Sequence, residues 1–230
     1  HWTDAAKDTS VCDHDATALF SGGTSIELLQ PGVYCGDFEV KSGDTAVLLE
    51  GGDSLYVFVD NDITIQAGGT VRNFALPADG LTAPAGFTLP TQADPAETAI
   101  IMTGTTSPGV LSVKSTGGNQ GDLWLKAKAT GTFAGIAISQ HPSSVLASNQ
   151  THLVTGGGDV EINGIVYFPT QPLKVTGGGT IGNTADQFAI IADTIEVQGN
   201  GTLTIKIGAD YSAAGLPELP ESAEMVRLSE

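Results

Sequence analysis

Val154-Thr155-Gly156-Gly157-Gly158-Asp159-Val160 returns as Val175-Thr176-Gly177-Gly178-Gly179-Thr180-Ile181 and again as Val197-Gln198-Gly199-Asn200-Gly201-Thr202-Leu203, at intervals of 21 and then 22 residues. Each copy is an apolar strand end, a glycine corner and the start of another strand. Looser copies begin at Val40, Leu49, Ile65 and Val113. A return of about 20 residues made of strands and glycine corners is the signature of a solenoid whose turns stack on one another. The expected fold is therefore all-β, a right-handed parallel β-helix built from a single chain. Stacking predicts a ladder of Val154, Val175 and Val197 inside, and a matching column of corners at Gly156, Gly177 and Gly199, where positive φ costs glycine little.

Outward from that phrase the same grammar continues. From Ile26 the chain runs in short segments rich in Val, Ile and Leu, each ended by Gly, Asp or Asn, and too short for helices. Phe38-Glu39-Val40-Lys41 and Ile63-Thr64-Ile65-Gln66 alternate apolar and polar, which gives one dry and one wet face. Residues 1–25 read as an irregular, polar lead-in and N-terminal cap, 26–207 as the β-helix, and 208–230 as a tail that folds back over the final strand edge. Within the helix, 75–97 breaks the pattern with Pro77, Pro84, Pro90 and Pro95, and each proline removes a backbone donor. That stretch reads as an excursion off the wall. At roughly 21 residues per coil and about 4.8 Å per rung, the body holds about eight or nine coils and spans on the order of 40 Å.

Composition narrows the partners. With 26 acidic and 9 basic residues the net charge is −17, a surface that repels phosphate backbones and anionic lipid heads, so nucleic acid and bare membrane are excluded as expected partners. No apolar run reaches the roughly 18 residues of a membrane-crossing helix. The first residue, His1, is not Met, which suits a processed chain whose targeting or anchoring segment lies upstream. Two cysteines, Cys12 and Cys35, form no Cys-x-x-Cys pair and are expected to be joined in a disulfide, which places the protein in an oxidising, extracytoplasmic compartment.

Candidate chemistry is sparse. Asp60 and Asp62 flank Asn61, and on a strand they would present two hard oxygens on one side, the beginning of a calcium site, although calcium takes six to eight oxygens. Asp37 with Glu39, and Asp13 with Asp15, repeat that geometry. Cys12-Asp13-His14-Asp15 would suit zinc or copper if Cys12 were a free thiolate. Gly177-Gly178-Gly179-Thr180-Ile181-Gly182 has dinucleotide-loop spacing, but the sequence after it is strand-like, and the phosphate loop needs a helix there. There is no Gly-x-Ser-x-Gly, and His1, His14, His141 and His152 sit in unrelated places, His141 and His152 reading as surface or edge residues. A β-helical polysaccharide lyase or hydrolase would need carboxylates clustered with an Arg or Lys on one wall. Only Arg72 and Arg227 exist, and Trp124 and Tyr167 lie in apolar strands, where core packing is the default. An ice-binding solenoid would need threonines in register, and Gln198 breaks the column begun by Thr155 and Thr176.

Leu29-Gln30-Pro31-Gly32-Val33-Tyr34-Cys35-Gly36, Asn163-Gly164-Ile165-Val166-Tyr167-Phe168-Pro169, Ile190-Ile191-Ala192-Asp193-Thr194-Ile195 with Gly199-Asn200 after it, and the closing Val226-Arg227-Leu228 together resemble the C-terminal β-rich region of TadG-like proteins. Those proteins accompany the Tad (Flp) pilus machinery. The resemblance implies a bacterial envelope or surface protein anchored by an upstream helix, with pilus or envelope proteins, or surface glycans, as partners. It brings no catalytic residue and no cofactor. The leading expectation is thus a non-catalytic structural or adhesive component. The alternatives are a β-helical enzyme or binder acting on polysaccharide, and an ice-binding solenoid.

Overall fold

The computed structural model describes residues 12–20, 26–49, 54–74, 97–104, 109–142, 150–182 and 187–205. Every strand pairing is parallel, and the strands wind repeatedly through three walls of one β-helix. The first wall stacks His14–Asp15, Gly32–Cys35, Leu55–Val59, Ala99–Thr103, Ile136–Gln140, residues 164–168 and residues 188–192. The second stacks Phe38–Val40, Ile63–Gln66, Leu111–Lys114, His152–Thr155, residues 172–176 and residues 194–197. The third stacks Ile26–Leu29, Thr45–Leu49, Thr70–Phe74, Asp122–Lys126, residues 159–163, Thr180–Ile181 and Thr202–Leu203.

The valine ladder is present and longer than its three best copies. Val40, Ile65, Val113, Val154, Val175 and Val197 are in register on the second wall, and all but the last are buried. Leu49 does not join them. It ends a strand of the third wall, so its glycine phrase belongs to a different corner. Six rungs stand on the second wall among the described residues, fewer than eight or nine, because the coils are unequal. Two of them carry insertions that separate Ile65 from Val113 by 48 residues and Val113 from Val154 by 41.

The corner after the ladder is a stack of tight turns. Gly177 and Gly178 have φ of 61° and 86°, and the Gly179 amide donates to the Thr176 carbonyl at 3.0 Å, the geometry of a type I′ turn. Gly156 and Gly157 repeat it one coil earlier, at 66° and 90°. Gly179 is required for another reason: a β-carbon there would sit 2.7 Å from the Val154 carbonyl oxygen of the preceding rung. Thr180–Ile181 follows as strand, so this glycine run is a corner and not a phosphate loop.

Each inward column is closed by packing, with Tyr34, Phe38, Phe58 and Phe168 fully buried. The Tyr34 and Phe58 rings lie 5.2 Å apart, as do those of Phe38 and Phe58. The lead-in, expected to be irregular, contributes a two-residue strand and a 3₁₀ turn, Ala16–Ala18, whose N-cap Asp15 accepts from the Thr17 amide at 3.0 Å. Ala16 is buried and Leu19 and Phe20 pack on the core, so the chain covers its own first coil. Cys12 and Cys35 are disulfide-bonded across that cover, with Cα atoms 5.8 Å apart. The excursion 75–97, apart from Glu97, and the tail 208–230 lie outside the described residues.

Candidate binding surface

Alternation within each strand sends one set of side chains into the core and the other outward, so the three outer faces follow from register alone. On the first wall the outward column Val33, Val57, Ile101 and Ser139 is buried, and Phe133 joins Val33, Val57 and Ile101 in a second apolar cluster. Over those four rungs the face is covered, and it opens at the next two, half-buried Tyr167 and exposed Ile191.

The third wall carries two outward columns. Thr45, Thr70, Asp122, Asp159, Thr180 and Thr202 form an unbroken polar ladder, half-buried until the exposed Thr202. The Thr180 hydroxyl donates to Asp159 Oδ1. Burial, and then the neighbouring Asp159 charge, raise the Asp122 carboxyl above its ordinary range. Two residues along, Val47, Arg72, Trp124 and Glu161 form the second column, with the Arg72 guanidinium 5.1 Å from the centre of the Trp124 ring. Val47, Arg72 and Glu161 are buried, and desolvation lowers the Arg72 pKa. Trp124 therefore faces outward between buried Leu123 and Leu125, and Tyr167 likewise lies half-buried between buried Val166 and Phe168; neither packs in the core as its residue type led us to expect.

The second wall is the accessible one. One outward column reads Glu39, Thr64, Ser112, Leu153, Lys174 and Glu196, and the next reads Gln66, Lys114, Thr155, Thr176 and Gln198. None of these residues is buried. Lys174 Nζ pairs with Glu196 at 3.1 Å, and Glu39 is held by Lys41 and by Gln66, with the Lys41 contact lowering its carboxyl pKa first. Thr155 and Thr176 are in register as expected, but Lys114 and Gln198 bound them, so this column is no uniform threonine array.

The sequence-based metal candidates do not converge. Asp60 is an exposed corner residue with φ of 54°, outside any strand, so the alternation that would align it with Asp62 is absent. Asp62 Oδ1 accepts the Val110 amide at 2.9 Å, and Asp37 Oδ1 lies 3.4 Å from the Asp62 amide. In Cys12-Asp13-His14-Asp15 the thiol is in the disulfide, Asp13 accepts the Val33 amide at 2.8 Å, and the His14 ring lies tilted against that of Tyr34, their centres 4.6 Å apart. Among the described residues no three His, Cys, Asp or Glu side chains gather as a metal-holding group.

His152 corrects the sequence reading most sharply. It is fully buried, in an inward column whose other members are Phe38, Ile63, Leu111, Leu173 and Ile195. Its Nδ1 accepts the Leu111 amide at 3.0 Å, so Nε2 carries the proton and donates to Gln140 Oε1, while Gln140 Nε2 donates to the Gly109 carbonyl at 3.1 Å. Phe168 stacks on the imidazole at 3.8 Å. Its place two residues before Val154 was the signal, because that spacing puts it on the inward side. His141 is half-buried, as an edge residue should be.

The chain matches no family model, no curated protein and no solved structure.

Proposed function

We infer that the chain is a non-catalytic, extracytoplasmic scaffold that works by adhesion, and that the outer face of its second wall is the contact surface. One observation carries this reading: of the three outer walls, only the second keeps both of its outward columns free of buried residues, and those columns present in-register hydroxyl, amide and charged side chains. Such a lattice repeats donors and acceptors about every 4.8 Å along the axis, which suits an extended polymer or a flat protein face better than a small molecule. The disulfide supports an oxidising compartment. The resemblance to TadG-like proteins supports a place beside the Tad pilus machinery, with envelope proteins or surface glycans as partners. The strong negative charge argues against nucleic acid.

The rival reading, a polysaccharide-cleaving enzyme, is supported by Asp122 and Asp159 on adjacent rungs of the third wall, with Arg72 and Glu161 on either side of Trp124 in the next outward column. A panel of immobilised glycans and purified envelope fractions separates the two. Retention that falls at least tenfold in Thr155→Lys/Thr176→Lys, with an unchanged circular dichroism spectrum, supports adhesion through the second wall. Release of unsaturated or reducing ends that Asp122→Asn or Asp159→Asn abolishes would replace it with the enzyme.

A further inference from the structure

The glycine that closes the corner between the second and third walls is fixed by stacking. At Gly69, Gly158, Gly179 and Gly201 a β-carbon would lie 2.2, 2.6, 2.7 and 2.6 Å from a ladder carbonyl oxygen on the rung before, that of Val40, Val113, Val154 and Val175 in turn. Only glycine lets the rungs close there. The residue just ahead of it is Gly68, Gly157 and Gly178 in the earlier coils, and Asn200 in the last. The architecture thus places an asparagine directly before an obligatory glycine, where no β-carbon shields the following backbone nitrogen from the asparagine side chain.

We propose that Asn200 is a site of spontaneous deamidation, with Gly201 as its internal nucleophile. The Gly201 nitrogen adds to Asn200 Cγ, and the new N–C bond forms as ammonia leaves with the proton that the backbone amide gives up. The chain passes through a cyclic imide. Water, the one co-reactant, then opens either carbonyl of that ring and returns aspartate or an isoaspartyl linkage, the latter with an extra carbon in the backbone. Either product adds a negative charge. The isoaspartyl form also lengthens the corner ahead of Thr202, whose amide donates to the Gly179 carbonyl at 2.9 Å, and so puts the last third-wall rung out of step with Thr180–Ile181.

The surroundings of Asn200 admit the step. Residues 193–200 are exposed without a break, Gly199 turns the chain with φ of 59°, and the Asn200 side chain makes no hydrogen bond among the described residues. One bond restrains the nucleophile, from the Gly201 amide to the Gln198 carbonyl at 3.1 Å. It belongs to the final described coil, where Thr202–Leu203 pairs with Thr180–Ile181 alone among the described strands, and local opening costs least in such a place. Asn163-Gly164 supplies the contrast. The same two residues lie there inside the strand Asp159–Thr176, held from both sides. Asn163 pairs with Lys126 and its carbonyl accepts the Ala127 amide at 2.7 Å, while the Gly164 amide donates to the Gln187 carbonyl at 2.9 Å and Asn163 Oδ1 lies 3.4 Å from the Gln187 amide. Ring closure at Asn163 would break pairings to the rungs before and after it.

The test is storage of the folded protein at neutral and at mildly alkaline pH. Peptide mass spectrometry reads the amide-to-acid change at each asparagine, and electron-transfer fragmentation separates isoaspartate from aspartate. Asn200 should convert roughly tenfold faster than Asn163 in the folded protein. Its rate should rise with pH, because the amide attacks as its anion, and the two rates should converge in urea, where only the shared Asn-Gly pair remains. Equal rates in the folded protein, or faster conversion of Asn163, would overturn the assignment. So would an Asn200 that stays intact when folded yet converts in urea. Aged protein should exchange the Thr202 and Thr204 amides faster than fresh protein, whereas Asn200→Asp, which adds the charge without the extra carbon, should exchange them as the parent does. Matched exchange in all three would refute the lengthened corner.

Discussion

His152 Nδ1 accepts a hydrogen bond from the backbone amide of Leu111, a residue one rung below it in the same column, so a side chain closes a hydrogen bond inside the β-helix core. Burial pushes the imidazole down to about 3, far below its unfolded value of about 6.5. The unfolded chain therefore binds the extra proton first. Stability is fully present above about pH 6.5 and declines as pH falls towards 3, by an amount on the order of a few kcal/mol. Urea unfolding at pH 7, 5 and 4 should show the midpoint falling. In His152→Leu that part of the slope should vanish, while stability at pH 7 drops by about 1 to 3 kcal/mol because the Leu111 amide loses its acceptor. An unchanged slope in the variant would reject this account of the imidazole.

Ala67 stands where Gly156 and Gly177 stand in later coils, with φ of 53° in the left-handed region. An L-residue with a β-carbon costs roughly 1 to 2 kcal/mol there. Ala67→Gly should stabilise the protein by about 1 kcal/mol, after allowance for the greater freedom of glycine in the unfolded chain. Differential scanning calorimetry measures it, and a fall in melting temperature would show that the alanine methyl earns its place through packing.

Gly179→Ala should act in the opposite direction. Its new β-carbon meets the Val154 carbonyl oxygen at 2.7 Å and the carbonyl carbon at 2.8 Å, and neither backbone atom can turn aside. The rungs must separate locally, at a cost of about 2 kcal/mol. Denaturant midpoints of the variant and the parent protein decide it.

Reduction of Cys12–Cys35 should loosen the cover on the first coil. A native bridge closing a loop of this size contributes about 3 kcal/mol. Cys12→Ser/Cys35→Ser should melt lower by a matching amount, with proteolysis beginning in residues 1–25. Intact mass under non-reducing conditions, followed by alkylation, confirms the bond, and two alkylated thiols without prior reduction would refute it.

The ladder was legible because Val154, Val175 and Val197 are followed by nearly identical corners, and equal spacing leaves one way to stack them. The number of coils was not legible, since insertions between Ile65 and Val154 lengthen a coil without marking how many have passed. The errors at Trp124 and His152 share a cause. Residue type was allowed to outweigh position, although Trp124 lies between Leu123 and Leu125 and His152 lies two before Val154. Counting in twos from the ladder assigns both side chains correctly. The polar ladder from Thr45 to Thr202 was hidden for a different reason: its members are contiguous only across coils of unequal length, and no local window contains two of them.

The corner between the second and third walls has a consequence for how this architecture absorbs change. From each ladder residue to the first outward residue of the third wall the count is five at Val40, Ile65, Val154, Val175 and Val197 and nine at Val113, always an odd step, whereas the other two corners vary freely in length. Each glycine corner thus resets the phase of the winding. A foreign peptide spliced into 75–96 would widen one circuit and leave the next in step, which makes the molecule a ruler that keeps its graduations however much is written between them.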